Sequence, residues 1–200
     1  MRWLNYCQSC PLPVKSGVTS ASLVWLAWRS NGLIDKMEIQ YLTLLRDNPI
    51  ANPSTPDFLN AIEPITLQEI AQLEQLYNSG NPFPKALKEL LYLAGKSCYV
   101  LDYGIRETKA GMQDYVRSKM AAKNRTLPRP FFAIDVYNAG DQFLFVFLDE
   151  GDNPPTYEGL YYYDPEVDSD YPQWYHPLGV TLSELIDHKV DRVKQGRNPF

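Results

Sequence analysis

Histidine is scarce in this chain, which limits the catalysis that its side chains can perform. The 200 residues include two histidines, His176 and His188, and neither lies in a motif that pairs a nucleophile with a base. The sequence contains no GxSxG elbow, no P-loop and no dinucleotide-binding fingerprint. We therefore predict that the protein is not an enzyme.

Carboxylates are abundant and are the other candidates for catalysis or metal binding. Asp149, Glu150 and Asp152 fall in a predicted hairpin turn, and four more acids occupy every second position over 164–170. Paired-acid hydrolysis needs two carboxyls in one cleft, whereas acids on turns are usually solvated. An EF-hand loop would need Gly and Glu where the chain has Ser169 and Tyr175. We expect no metal and no cofactor; an irregular calcium loop and a carboxylate-dependent hydrolase are the alternatives.

The cysteines form no disulfide framework. Cys7 and Cys10 make a lone CxxC without the second pair or the histidine of a zinc site, and Cys98 is the third thiol. An odd number of cysteines favours a reducing cytosol. Apolar runs are far shorter than the roughly 20 residues of a membrane-spanning helix, and prolines interrupt any signal-peptide core. The sequence therefore predicts a cytoplasmic protein without membrane contact.

Charged residues are segregated along the chain. Residues 131–175 contain ten acids and no Lys or Arg, whereas residues 85–129 contain ten bases and four acids. The formal net charge of -5 argues against direct binding of nucleic acid. Tyrosines interleave with the acids, and such rings anchor protein interfaces. The pattern favours a basic protein partner. About half of the rings are expected to lie in the core of the predicted sheet instead. The basic segment is either a solvated helix face or a site for an acidic partner.

The first third of the chain differs from the rest. Residues 1–36 show no regular apolar pattern, whereas Met37 opens a predicted helix with Ile39, Leu42 and Leu45 on one side. One hypothesis is that translation starts at Met37, and the alternative is a poorly structured tail. Prolines over 47–56 predict a linker. We expect an N-terminal extension and linker over 1–63 and a compact domain over 64–200.

Helical signals dominate the beginning of that domain. Thr66 and Glu69 form a capping box, followed by a predicted buried stripe that ends at Leu76. A second helix is expected to start at Pro84 and to end at Gly95 in the left-handed conformation. A short strand is predicted over 97–103 and a third helix over 109–121.

Strands are predicted from residue 131 onward. Aromatic and branched residues at 131–137, 143–149 and 157–163 favour a meander, and the middle segment is apolar on both faces, as in a central strand. Thr181 and Glu184 form another capping box, which predicts a closing helix. The order of helices, antiparallel meander and C-terminal helix predicts an α+β fold.

Four segments in this order resemble the SUKH superfamily. They are residues 65–74; residues 83–95, similar to the family's LPxxYKxFLxxxNG helix; the strand pair from 140 to 164; and residues 181–186, similar to its SFxEFL ending. The superfamily includes many immunity proteins of bacterial polymorphic-toxin systems and a fungal regulator of cell-wall synthesis. The resemblance implies a SUKH-like fold over about 64–195 and a function that needs no cofactor.

The predicted function is therefore protein binding. The first interpretation is an immunity protein that neutralises a cognate bacterial toxin, such as a basic nuclease domain, by occluding its active site. The alternatives are a regulatory adaptor for other cellular proteins and, less favoured, a carboxylate-dependent hydrolase. We expect a monomer. The predicted partner-binding residues are Asp141, Asp149, Glu150, Asp152, Tyr157, Asp164, Glu166, Asp168, Asp170, Tyr171 and Trp174.

Overall fold

Five helices and four strands follow one another in the part of the chain that the structure describes. The structure is a computed structural model and describes residues 37–52, 61–103, 108–168, 170–171 and 173–199. The elements are α1 (Thr43–Asp47), α2 (Leu67–Tyr77), α3 (Lys85–Ala94), α4 (Lys109–Ala122), β1 (Phe131–Tyr137), β2 (Gln142–Phe147), β3 (Pro155–Leu160), β4 (Tyr175–Thr181) and α5 (Leu182–Lys194). This order confirms the predicted α+β class.

Side-chain caps start two helices where the sequence predicts them. Before α2, the Thr66 hydroxyl accepts the Glu69 N–H at 3.2 Å, and the Glu69 carboxylate accepts the Thr66 N–H at 2.7 Å. Thr181 and Glu184 form the same capping box before α5. Each cap satisfies backbone groups that a helix start leaves unpaired, which stabilises the helix by about 1 kcal/mol.

The four strands form a meander in the order β1-β2-β3-β4, and every neighbouring pair is antiparallel. As predicted, β2 is a central strand, and its Phe143, Phe145 and Phe147 are fully buried. The sequence analysis predicts no strand at β4, the strand in which His176 lies. Pro177 and the left-handed Gly179 obscure the strand pattern there, because both are rare inside strands.

Polar side chains of α4 cover the outer edge of β1. Gln113 is buried, and its side-chain amide forms hydrogen bonds with both backbone groups of Ala133. Nε2 donates to the carbonyl at 2.7 Å, and Oε1 accepts the N–H at 3.0 Å. Arg117 donates to the Phe131 carbonyl at 3.1 Å. These contacts satisfy edge groups that could otherwise pair with another strand.

Residues 39–48 pack against the core through two leucines, although the sequence analysis assigned them to the extension and linker. Leu42 and Leu45 are fully buried. Glu89 of α3 is also fully buried, and its carboxylate accepts the backbone N–H groups of residues 40–42 at 2.8, 2.8 and 2.9 Å. The compact unit therefore includes residues before the predicted boundary at 64. The helix expected in this segment begins only at Thr43.

Three other local predictions are wrong. The backbone of Gly95 is in the right-handed conformation, with a φ of -64°. Glycine fits there because the Cβ of any other residue would lie 2.6 Å from Ile65 Cγ1. Residues 97–103 contain turns rather than a strand, apart from a bridge between Ser97 and Glu63. Leu76 is 65% exposed and does not join the buried stripe of α2.

Some predictions concern residues that the structure does not describe. Cys7 and Cys10, with the rest of residues 1–36, lie outside the described part, as do residues 53–56 of the predicted linker. Among the described helices, none has the length and apolar character needed to cross a bilayer.

Candidate protein-binding site

The sheet places the predicted acidic contact residues at two opposite ends. The β1–β2 turn with Asp141 and the β3–β4 connection lie at one end, because β1 and β3 both run toward it. The β2–β3 turn, which carries Asp149, Glu150 and Asp152, lies at the other. Strands of six or seven residues separate the ends by about 20 Å. The eleven predicted residues therefore do not form one continuous surface.

One arginine pairs with two of the three acids of the β2–β3 turn. Arg129 contacts both Asp149, at 3.1 Å, and Glu150, at 2.6 Å, and its guanidinium lies 3.9 Å from the centre of the Phe147 ring. Glu150 also accepts the Tyr157 hydroxyl at 3.0 Å. Arg129 belongs to the basic segment of the sequence, so the two charged segments meet here rather than forming separate surfaces.

The basic segment does not form a uniform positive face either. Arg117 lies between Gln113 and the Phe131 carbonyl, and Lys109 is buried. The ammonium groups of Lys119 and Lys123 lie 5.9 and 4.3 Å from the centre of the Tyr162 ring. These positions leave less free positive charge than the count of bases predicts.

The other end of the sheet presents a loop that is both acidic and apolar. In this acidic loop, residues 161–171, Tyr162 is 56%, Val167 77% and Tyr171 37% exposed. They are three of the four large exposed hydrophobic residues among those described, the fourth being Leu76. Asp164, Glu166 and Asp170 are exposed and Asp168 is half-buried. Within the described residues none of these four acids forms an ion pair with Lys, Arg or His.

Hydrogen bonds give the acidic loop a defined shape. Asp168 Oδ2 accepts the N–H of Asp164 at 2.8 Å, and Asp164 Oδ1 accepts the N–H of Glu166 at 2.9 Å. The Tyr163 hydroxyl donates to the Tyr171 carbonyl at 2.9 Å, which closes the loop. Arg125 donates to the Tyr163 carbonyl at 2.9 Å and so fixes the loop to the segment after α4.

Two of the predicted contact aromatics belong to the sheet instead. Trp174 is 9% exposed and packs beside Tyr175 and Phe143, with ring centres 5.3 and 6.4 Å away. Tyr157 is half-buried and stacks on Phe145 at 5.3 Å. Trp174 covers the end of an aromatic core, so most of its ring is removed from solvent. The ring therefore offers little area to a partner. Among the predicted contact aromatics, Tyr171 is the exposed one.

A polar cluster beside the acidic loop was missed by sequence reasoning. Glu158 pairs with His176 across β3 and β4, and Glu158 Oε2 lies 3.1 Å from His176 Nε2. Its other oxygen accepts the hydroxyl of Tyr137. The Tyr171 ring stacks on the imidazole, with centres 4.0 Å apart and planes 18° from parallel. Burial, followed by the neighbouring Glu158, raises the pKa of Tyr137, which keeps its phenol protonated as a donor.

A second group of ionisable residues lies inside the domain. Lys109 is buried with its side-chain nitrogen 2.5 Å from the centre of the Tyr103 ring, and Nζ has no hydrogen-bond partner among the described residues. Asp135 Oδ1 accepts the N–H groups of Tyr103 and Val136 at 2.8 and 3.0 Å, whereas Oδ2 has no partner in the part of the chain that the structure describes. Burial lowers the pKa of Lys109 well below its usual value and raises the pKa of Asp135.

Replacing Lys109 with methionine should stabilise the domain by about 2 kcal/mol at neutral pH, because a buried amine that no described residue pairs with is exchanged for a similar apolar side chain. The unfolded chain binds a proton that the folded Lys109 releases, so the lysine makes stability rise with pH between its lowered folded-state pKa and 10.5. Urea unfolding from pH 6 to 9 should show this rise in wild type and a smaller one in the variant. The control is Lys123→Met, which makes the same substitution at an exposed position. A Lys109→Met variant that is less stable than wild type at pH 7 would contradict a destabilising effect of the buried amine.

The described residues contain no group of three or more His, Cys, Asp or Glu side chains placed to hold a metal ion. Three of the loop acids are exposed and Asp168 is half-buried, and Glu158 is the carboxylate that joins Tyr137 and His176. Comparison of the chain with protein-family models, with curated proteins and with solved structures yields no match.

Proposed function

We propose that this chain is a non-enzymatic protein-binding domain and that its acidic loop binds a basic protein. Following the resemblance to the SUKH superfamily, the proposed partner is a bacterial toxin domain such as a nuclease, whose active site the loop would occlude in the cytoplasm. The observation that carries the proposal is the concentration, on the acidic loop, of exposed apolar side chains and of carboxylates that form no ion pair with the described residues.

Exposed apolar area explains why this loop is favoured as a contact. Val167, Tyr162 and Tyr171 leave hydrophobic surface in water, and clustered exposure of this kind is typical of interaction sites. The surrounding carboxylates would attract a basic surface and accelerate its approach. The internal hydrogen bonds of the loop reduce the entropy that binding must remove.

The alternatives have less support from the arrangement of carboxylates. A hydrolase needs two carboxyls converging on a substrate. Asp149 and Glu150 instead share Arg129, and Glu158 is held by a tyrosine and a histidine. A regulatory adaptor would use the same loop and would differ only in the identity of its partner. The genes beside this one would distinguish an immunity protein, whose toxin is normally encoded next to it.

Charge reversal at the acidic loop tests the proposal. With the proposed basic partner, Glu166→Lys/Asp170→Lys should slow association about 10-fold at low salt, because two attractive charges become repulsive. Glu38→Lys/Asp152→Lys makes the same change in net charge at residues outside the loop, two exposed acids, and should have a much smaller effect. Association rates are measured by biolayer interferometry at several salt concentrations. Equal rates for the two double variants would refute the assignment of this loop.

A further inference from the structure

The start of α4 holds two unfavourable features. Lys109, the first residue of the helix, is buried, and its Nζ has no hydrogen-bond partner among the described residues. Its side chain lies against the ring of Tyr103, whose backbone is left-handed with a φ of 56°. This conformation is strained in a residue other than glycine. Opening of the helix start would let Lys109 reach water and let Tyr103 relax.

The position of Lys109 also disfavours a charged ammonium. The unpaired backbone N–H groups at a helix start carry partial positive charge and repel a cation. The ionisable groups around Lys109 in the described residues are Cys98, Tyr103, Asp135 of β1 and Lys189 of α5, which interacts with Asp135. Burial lowers the pKa of Lys109 well below 10.5, although Cys98 and Asp135 act in the opposite direction. The closed helix start therefore contains a neutral amine at a pH where an exposed lysine is charged.

The first turn of α4 is held less firmly than the second. The Thr108 hydroxyl accepts the N–H of Gly111 at 3.0 Å, and the Tyr77 hydroxyl donates to the Ala110 carbonyl over a longer 3.4 Å. In the second turn, the buried Gln113 forms two hydrogen bonds with the backbone of β1. Opening can therefore stop before Gln113 and leave the rest of the helix on the sheet.

We propose that the first turn of α4, residues 108–111, is a pH-sensitive switch that opens when Lys109 takes up a proton. In the closed state the neutral amine lies against Tyr103, and in the open state it reaches water as an ammonium. Opening then binds one proton, so the opening equilibrium constant rises about 10-fold for each unit by which the pH falls, down to the closed-state pKa. This switch goes beyond the proposed function, because it needs no partner.

The neighbouring groups do not account for the same pH dependence. Burial raises the pKa of Cys98 to about 11, and it also raises the pKa values of Tyr103 and Asp135. If opening exposed these groups, each would release a proton, and opening would be favoured by a higher pH. Burial lowers the pKa of Lys189, which gives it the same sign as Lys109, but this residue lies on α5. Replacement of Lys109 separates the two lysines.

Amide hydrogen exchange of the full chain from pH 7 to 9 tests the switch. Exchange from the open state is base-catalysed and slows about 10-fold per unit of falling pH, whereas the open population rises by the same factor. The amides of Gly111 and Met112 should therefore exchange at a nearly constant rate in wild type. In Lys109→Met the open population no longer depends on pH, so their exchange should slow about 10-fold per unit. Lys123→Met, at an exposed position at the end of the same helix, should behave as wild type.

Urea separates local opening from unfolding of the whole domain. Exchange of the two amides should not accelerate in about 1 M urea, since local opening exposes little surface, whereas exchange of the β2 amides should accelerate. Wild-type amides that slow by about 10-fold per pH unit would overturn the switch. A constant rate that persists in Lys109→Met, or acceleration by urea equal to that of β2, would overturn it as well.

Discussion

Glu89→Ala should lower the free energy of unfolding by about 4 kcal/mol, because three backbone N–H groups lose a charged acceptor in the core. Hydrogen bonds to a charged group contribute roughly 1.5–3 kcal/mol each, and the three share one carboxylate, so their sum is not additive. Once the carboxylate is gone, the buried N–H of Leu42 and the partly buried N–H groups of Gln40 and Tyr41 lose their acceptor. Leu42 and Leu45 then lose the contact that holds their segment against α3.

The expected result is measured by urea unfolding followed by far-UV circular dichroism. Glu89→Gln keeps one acceptor oxygen and should fall between wild type and the alanine variant. The exposed Glu38→Gln removes a carboxylate two residues from the anchored segment and should change stability by less than about 0.5 kcal/mol. A loss below 1 kcal/mol in Glu89→Ala would show that residues 39–48 are not anchored as described.

Gln113→Leu should cost about 3 kcal/mol, because leucine fills a similar volume but pairs with neither backbone group of Ala133. The N–H and carbonyl of Ala133 then lie unpaired at the edge of β1, and Arg117 loses the Gln113 oxygen that it contacts at 2.9 Å. The freed edge can also pair with another chain, so the variant should aggregate more readily.

Unfolding free energy and light scattering at increasing concentration measure these two effects. Gln72→Leu makes the same substitution at an exposed position of α2 and should leave stability within about 0.5 kcal/mol of wild type. If Gln113→Leu is as stable as Gln72→Leu, then the Gln113 side-chain amide does not stabilise the backbone groups of Ala133 at the edge of β1.

Local signals in the sequence predict most of the helices and the central strand. Thr66 and Thr181 each stand three residues before a glutamate, and this spacing alone identifies two helix starts. The apolar run of β2 predicts burial on both faces. By contrast, β4 contains Pro177 and a left-handed Gly179, which local rules assign to a loop, and the strand forms because β3 pairs with it.

Contacts between distant residues account for what the sequence could not predict. The anchoring of residues 40–42 depends on Glu89, almost fifty positions away, and no local pattern indicates it. Counting charges likewise predicted a free acidic turn at Asp149 and Glu150, but Arg129 contacts both after the chain folds. The Glu158–His176 pair follows only from the register of two strands, one of which was not predicted.

Amide hydrogen exchange of the full chain, with and without the bound toxin domain, tests the central claim most directly. If the acidic loop is the contact surface, amides of residues 161–171 should exchange at least about 10-fold more slowly in the complex, because their opening to solvent is blocked. Residues 148–154, at the opposite end of the sheet, should exchange at the same rate in both states. Protection confined to residues 148–154, with none in the acidic loop, would contradict the account.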